Sequence, residues 1–404
     1  MYQPIDFQIV DTTLPKVKVI NRYDFTSLDQ VDLVYEYLSN GKSIQTGTID
    51  GSFIFPGQSA EIRIPVLKTT DTSNAEICLN LYAKMKTATI WAAEGFCIAR
   101  EQFVLKFFAY PNLNASGNEL QTNETDVEVV VQNDGFRASF SKKTGSLLSW
   151  KSDNTELLVG PLEPYFWKPA NDNQKMSGFE REQGKWKTAG VKRKVESVDI
   201  NQKDGIVCIQ FKMDLPTVGA SYQLSYLLNG EGKIQVEADY QPTCDTILLI
   251  PKFGIRMQIP DEFTTVNWYG CGPWENYPDR KTASLVGLYE SKLENFITNY
   301  PAPQDNANRC DVRLFSFSEQ NGRSFKVTGL QPLCFHAWPY SEDDLEKTKH
   351  PFDLPKRDFI NLNIDLNIHG VGENDTWGAK TMEKYTISGN KPYSYGFILE
   401  YDEK

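Results

Sequence analysis

Five short stretches concentrate aromatic, glycine, amide and carboxylate residues. They are Phe166-Trp167-Lys168-Pro169-Ala170-Asn171-Asp172-Asn173, the run from Trp268 to Arg280, Cys334-Phe335-His336-Ala337-Trp338-Pro339, Asn361-Leu362-Asn363-Ile364-Asp365, and the run from Gly370 to Gly378. The chemistry this mixture suits is sugar recognition. An aromatic ring covers the apolar C–H face of a pyranose, while Asn, Asp and Glu side chains bond its hydroxyls. Large sheets also use such residues for aromatic cores and for Gly/Asn/Asp turns, so no single stretch decides between recognition and structure.

Glu275 and Asp279 are four apart, with Arg280 adjacent. A catalytic carboxylate pair needs surroundings that drive the two pKa values apart, and the neighbouring residues supply none. The reading is therefore a buried Glu–Arg or Asp–Arg pair that holds a loop. The three histidines, His336, His350 and His369, share no ligand spacing, so no metal site is assigned. The seven cysteines are scattered, odd in number and without a CxxC pair, which argues against a zinc site or a disulfide framework and for buried free thiols. No GxGxxG opening a helix, P-loop, GxSxG elbow or HExxH is present. No cofactor and no catalytic residue is assigned.

The elements that must carry these residues read as strands. Val31–Leu38 runs to Asn40-Gly41 and returns as Ile44–Ile49, which predicts a type I′ hairpin because both turn residues need positive φ. A second hairpin is predicted where Asn229-Gly230 separates Ser221–Leu227 from Lys233–Ala238. Further strands are expected at Glu61–Ile64, Ile77–Tyr82, Val127–Val131 and Tyr395–Leu399. Helical signal is scarce, and its best case is Ser341–His350, where Ser341 caps, acids fill the first turn, bases the last, and Pro351 closes. Polar, turn-rich residues 110–118 break the strand rhythm. The organisation predicted is an immunoglobulin-like β-sandwich over residues 1–110, a linker over 111–125, and a large many-stranded antiparallel domain over 126–404, all-β throughout. Of 404 residues, 40% are hydrophobic and 12% aromatic, enough to bury a core and to exclude intrinsic disorder. A net charge of −11 without a basic cluster excludes nucleic acid as a partner. No apolar run reaches the ~18 residues of a membrane-spanning helix, and no membrane partner is expected. Ile5–Val10 already alternates like a strand, with no leader-like basic or apolar region before it.

Gly270-Cys271-Gly272-Pro273-Trp274-Glu275-Asn276-Tyr277-Pro278-Asp279-Arg280-Lys281 resembles the GxGPxENYPDRK signature in the C-terminal domain of large bacterial β-galactosidases of glycoside hydrolase family 2. Gly370-Val371-Gly372 through Asp375-Thr376-Trp377-Gly378 is similar to that domain's closing GxGG-Asp-Asp/Asn-Ser-Trp motif, and Phe166–Asn173 to its WRxPTDND segment. Asn21-Arg22-Tyr23-Asp24-Phe25-Thr26-Ser27-Leu28 and Trp91-Ala92-Ala93-Glu94-Gly95-Phe96 resemble the sandwich domain before it. Order and spacing match over essentially the whole chain. The resemblance implies that the second domain is a β super-sandwich, similar to the galactose mutarotase fold.

In that family two glutamates about 5 Å apart perform retaining hydrolysis of terminal β-galactosides. They belong to a TIM barrel of about 250 residues that precedes these domains, and no such stretch of alternating strand and helix occurs here. The resemblance thus implies the C-terminal part of a β-galactosidase, inactive alone. It would complete the active site of a barrel in the same or another chain, in an enzyme commonly homo-oligomeric, soluble and either cytoplasmic or periplasmic. The sugar would meet Trp377, Asn374, Asp375, Asp172 and Asn173. Gln174, Lys175, Met176, Ser177 and Gly178 would form an active-site loop, with Gly178 as its hinge. Three departures from the pattern stand out: Lys168 replaces an arginine and its bidentate fork, Ala170-Asn171 stand where Pro or Thr is usual, and Glu373-Asn374 where Gly-Asp is common. Two other readings are a mutarotase-like sugar epimerase, with His336 and Glu275 as acid and base, and a free-standing carbohydrate-binding protein using Trp377.

Overall fold

The computed structural model describes residues 3–68, 75–244, 249–372, 377 and 379–403. The chain divides into two compact units, residues 1–109 with Leu285–Leu288, and residues 110–284 with 289–404.

The first unit is built on alternation. In Val31–Ser39, Val31, Leu33, Tyr35 and Tyr37 are buried while the residues between them are not, as a strand places successive side chains on opposite faces. This strand lies between Lys42–Ile49 and Ile77–Met85, and Cys97–Lys106 completes a four-stranded sheet. Ile5–Asp11, Lys16–Asn21 and Ser59–Arg63 form a three-stranded sheet. Ile5, Phe7, Val17 and Val19 from the smaller sheet share one core with Leu33, Leu79 and Leu81 from the larger. Each such side chain contributes about 1.5–3 kcal/mol by leaving water. The Asn40-Gly41 hairpin closes on Ser39↔Lys42 with φ 45° and 78° at its two central residues, the geometry the sequence predicts.

The second unit is built on one large antiparallel strand network, with a separate two-stranded sheet of Leu249–Ile250 and Ile387–Ser388. Lys194–Lys203, Ile206–Leu215, Ala220–Leu228, Ile234–Pro242 and Tyr393–Asp402 pair in succession, and the last of these pairs with Ser324–Trp338. Ser324–Trp338 is 15 residues long and changes neighbour along its length. Its first part, Ser324–Gly329, lies against Tyr393–Asp402, and its last, Cys334–Trp338, against Phe359–Ile368. Phe359–Ile368 in turn pairs with Lys252–Pro260, and that strand with Gly160–Tyr165. The core is aromatic: Phe253 alone packs against Phe166, Tyr222, Tyr240, Tyr393 and Tyr395.

Two local expectations need correction. The second hairpin exists, but residues 229–233 form a longer loop between Leu228↔Ile234, with positive φ at Gly232 rather than at Asn229-Gly230. Asn229 is held elsewhere: its Nδ2 donates to the Asn114 carbonyl and Ser116 Oγ, both at 2.9 Å. Helix is scarce, as expected, but it also forms in the segment expected as a loop. Besides α4 (Leu293–Phe296) and the predicted α5 (Glu342–Lys347), the segment after Asn171 folds as α1 (Asp172–Ser177), α2 (Phe179–Gln183) and α3 (Trp186–Ala189). Among the described residues no helix is long and apolar enough to cross a membrane.

Candidate functional site

Helix α1 starts because Asn171 caps it. The Asn171 side chain accepts from the Gln174 amide at 2.8 Å, and the Gln174 side chain accepts from the Asn171 amide at 3.3 Å. Gly178, at φ 80°, ends it. Residues 174–177, expected as a loop, are therefore helical. Gln174 is also fully buried. Its Oε1 accepts from Lys168 Nζ at 2.7 Å and its Nε2 donates to the Gly370 carbonyl at 3.2 Å. A side chain so buried and engaged holds the backbone. Met176, by contrast, is exposed.

Most residues of the Glu275–Lys281 run are tied to the surrounding structure. Glu275 pairs with Arg280, accepts from Tyr300 Oη, and accepts from the Ala307 amide at 2.8 Å. Asn276 accepts from the Cys310 amide at 2.8 Å and donates to the Cys271 and Trp274 carbonyls. Tyr277 Oη donates to Asp305 at 2.8 Å. Lys281 pairs with Asp311 at 2.6 Å. Asp279 reaches furthest along the chain: its carboxylate accepts from the Val371 and Gly372 amides at 3.2 and 2.7 Å. Glycine at 370 is what allows the approach, since a Cβ there would lie 2.5 Å from Asp279 Oδ2. The two carboxylates thus hold loops, and neither forms a pair with the other.

The arm 370–372 is fastened on its other side too. Asn171 Nδ2 donates to the Val371 carbonyl at 2.8 Å, the Gly370 amide donates to Tyr385 O at 2.9 Å, and Thr381 Oγ1 donates to Gly372 O at 2.7 Å. His369 Nδ1 lies 2.8 Å from the Gly370 carbonyl, and burial holds its pKa down at about 4, so the ring is neutral and Nδ1 carries the proton. Lys380 closes the far end by pairing with Glu182 at 2.9 Å. Between these anchors Trp377 is 94% exposed. Asn374 and Asp375 lie outside the described residues.

Asp172 and Asn173 line a cleft of about 200 Å³ with Asn171, Tyr277, Arg280, Tyr300, Gln304, Asp305 and Val371. All but Val371 are polar or phenolic, the mixture that binds hydroxyls beside a flat ring. Asp305 is buried; desolvation raises its pKa, opposed by Lys168 and by the bond from Tyr277. Its Oδ1 has no hydrogen-bond partner among the described residues. Tyr300, Gln304 and Asp305 belong to none of the five stretches. The signal that would have found them is the run Pro301-Ala302-Pro303-Gln304-Asp305-Asn306, two prolines followed by three amide or carboxyl side chains.

The Asn361–Asp365 stretch is sealed in the interior. Asn361, Asn363, Asp365, His336 and Lys252 are all fully buried. Lys252 Nζ donates to Asn363 Oδ1 at 2.5 Å and lies 3.9 Å from Asp365. Burial pushes Lys252 down, Asp365 well up and His336 well down, so desolvation favours the neutral form of all three. Burial would likewise raise Glu342, but Arg256 and Lys252 more than offset it and hold the carboxylate charged. His336 and Glu275, the acid and base of the epimerase reading, have separate sets of partners.

The sequence profile described as "Beta galactosidase small chain" matches residues 132–399, and the profile "Beta-galactosidase, domain 4" matches residues 17–106. A β-galactosidase of Priestia megaterium is 30% identical over 401 residues, covering 99% of this chain and 39% of the relative. One of Pseudoalteromonas haloplanktis is 30% identical over 404 residues, covering 95% and 38%. The chain thus spans less than half the length of these curated relatives. Among solved structures, galactose 1-epimerase from Lactobacillus acidophilus superposes with a TM-score of 0.39 at 10% identity, covering 70% of this chain and 99% of that one.

Proposed function

We propose, from the premise that the chain belongs to the β-galactosidase small-chain family, that it is the part of a β-galactosidase that completes the substrate site of a catalytic barrel lying outside these 404 residues. The chemistry would be retaining hydrolysis by two barrel glutamates, one nucleophile and one acid/base. This chain would supply binding and shape. The observation that carries the reading is the fastening of the arm 370–372 by Asp279 on one side and Asn171 on the other, which sets the exposed Trp377 on a segment with two fixed ends.

In this reading Trp377 stacks on the leaving-group sugar. Asp172 and Asn173, with Asn374 and Asp375, take its hydroxyls. An aromatic platform held by fixed ends loses little freedom on binding, so most of its contact shows as affinity. Helix α1 acts by holding: Gln174 and Lys168 fix the backbone that presents Asp172 and Asn173. The sealed surroundings of His336 give no support to the epimerase reading.

The test is hydrolysis of a chromogenic β-galactoside by the chain alone, and by the chain mixed with a separately expressed barrel fragment. Silence alone and turnover on mixing are expected. Trp377→Ala should cut the turnover of the mixture about 10- to 100-fold, the loss of about 1.4–3 kcal/mol of stacking. Turnover by the chain alone would overturn the reading.

A further inference from the structure

We propose that Cys310 and Cys334 form a modification site: a thiol pair that hydrogen peroxide converts to an intrachain disulfide. The inference stands apart from the function proposed above and rests on strand register. Arg309 pairs with Phe335 and Val312 with Leu333, so residues 310 and 311 together oppose the single residue 334. This is a β-bulge. Asp311 takes the extra position at φ 50° and directs its carboxylate to Lys281. Cys310 is left facing Cys334, with the two sulfurs 3.4 Å apart. Residues opposed across antiparallel strands have Cα atoms about 4.5–5.5 Å apart, inside the span of about 4.4–6.8 Å that a disulfide bridges.

Both thiols are free. They line a cavity of about 320 Å³ with Lys281, Asp311, Leu333 and Tyr385, room for an oxidant as small as peroxide. Cys271 is the other sulfur nearby, and its thiol is directed to Asp311 Oδ2 at 3.5 Å. The bond from the Cys334 thiol to the Cys310 sulfur, and then burial, push Cys334 well above the usual thiol pKa, so the reaction is slow at neutral pH and quickens as pH rises.

The step balances. One thiolate attacks peroxide, an S–O bond forms as O–O breaks, and the hydroxide released takes up a proton. The second thiolate then attacks the sulfenic sulfur, S–S forms as S–O breaks, and a second water leaves. Two thiols lose two electrons and two protons, and one peroxide becomes two waters. The new bond would lie in the small cluster where Cys310 and Cys334 pack with Tyr277, Ile368 and Val371, under the fastened arm.

The experiment exposes the full chain to hydrogen peroxide, denatures it, alkylates remaining thiols with iodoacetamide and maps the peptides by mass. The expected product joins the Cys310 and Cys334 peptides, is two hydrogens lighter than their sum, and reverts with dithiothreitol. The exposed Cys97 reports that oxidant was sufficient. Recovery of both Cys310 and Cys334 as alkylated thiols while Cys97 is oxidised would overturn the proposal, as would a Cys271–Cys310 link. Cys310→Ala should abolish the linked peptide and leave Cys334 alkylatable or singly oxidised; the wild-type map decides the matter even if that variant does not fold.

Discussion

At the residue scale the arm is held by few atoms, so single changes should release it. In Asp279→Ala the Val371 and Gly372 amides lose a shared carboxylate. A hydrogen bond to a charged group is worth about 1.5–3 kcal/mol, so denaturant unfolding should show a loss of about 1–3 kcal/mol. Trypsin should also cut faster after Lys380, and an unchanged cleavage rate would show that the arm is held by other contacts. His369 gives the arm a pH dependence. Its folded pKa of about 4 lies below the free value of 6.5, so the unfolded state binds the proton first. Its stabilisation is full above pH ~6.5 and is lost as pH falls toward 4, by about 2 kcal/mol at pH 5. His369→Gln should flatten that part of the urea-midpoint curve, and an unaltered slope would assign it to other groups. The Asp279 tie was not legible in the sequence, because its partners stand 92 and 93 residues away. The reading of Glu275 as an arginine partner was legible, because Arg280 stands beside the run. Asn361, Asn363 and Asp365 left the choice between recognition and structure open for a physical reason. Alternate polar residues usually mark a wetted strand face, but here both faces are covered and the polar side chains pair with Lys252 and Glu342 or stay sealed in the interior.

At the element scale, helix α5 shows why one helix was read and its neighbours were not. Ser341 accepts from the Asp344 amide at 3.2 Å, and Asp344 accepts from the Ser341 amide at 2.9 Å. That box, followed by acids and then bases, stands in the sequence. Ser341→Ala should cost about 1 kcal/mol. Asp344 is held down at about 2: burial opposes this, but the bonds from Arg357 and from Ser341 outweigh it. Its folded pKa is depressed, so its stabilisation is present above pH ~4 and is lost as pH falls toward 2. Acid unfolding of Asp344→Asn should start from a lower stability at pH 5 and fall less steeply below pH 4; parallel curves would remove Asp344 as the cause. Helix α1 is equally short and has its own box, Asn171 with Gln174, but only Asp172 is acidic in its first turn, against three acids in α5, so its charge signal is weaker. Strands fared better, since each needs only alternation and a turn residue. The Asn229 loop failed because its amide is committed to residues 114 and 116, which no local pattern reveals.

At the scale of the whole molecule, the strand Tyr393–Asp402 lies between Ile234–Pro242 and Ser324–Trp338, neighbours that both precede it by more than 50 residues. A segment so placed is a keystone that arrives late. On a ribosome making about 5–20 residues per second, the strands on either side wait several seconds with open edges. The second unit cannot finish folding until this segment emerges, and its long-range pairing makes the last step slow. Ending the chain at Pro392 should therefore abolish cooperative unfolding of the second unit, seen as loss of its transition in calorimetry, whereas a retained transition would show that the remaining sheet closes without it. A nascent chain of this kind exposes two unpaired strand edges for seconds, so its yield in the cell would be set by translation speed and by the chaperones that cover those edges as much as by the stability of the finished fold.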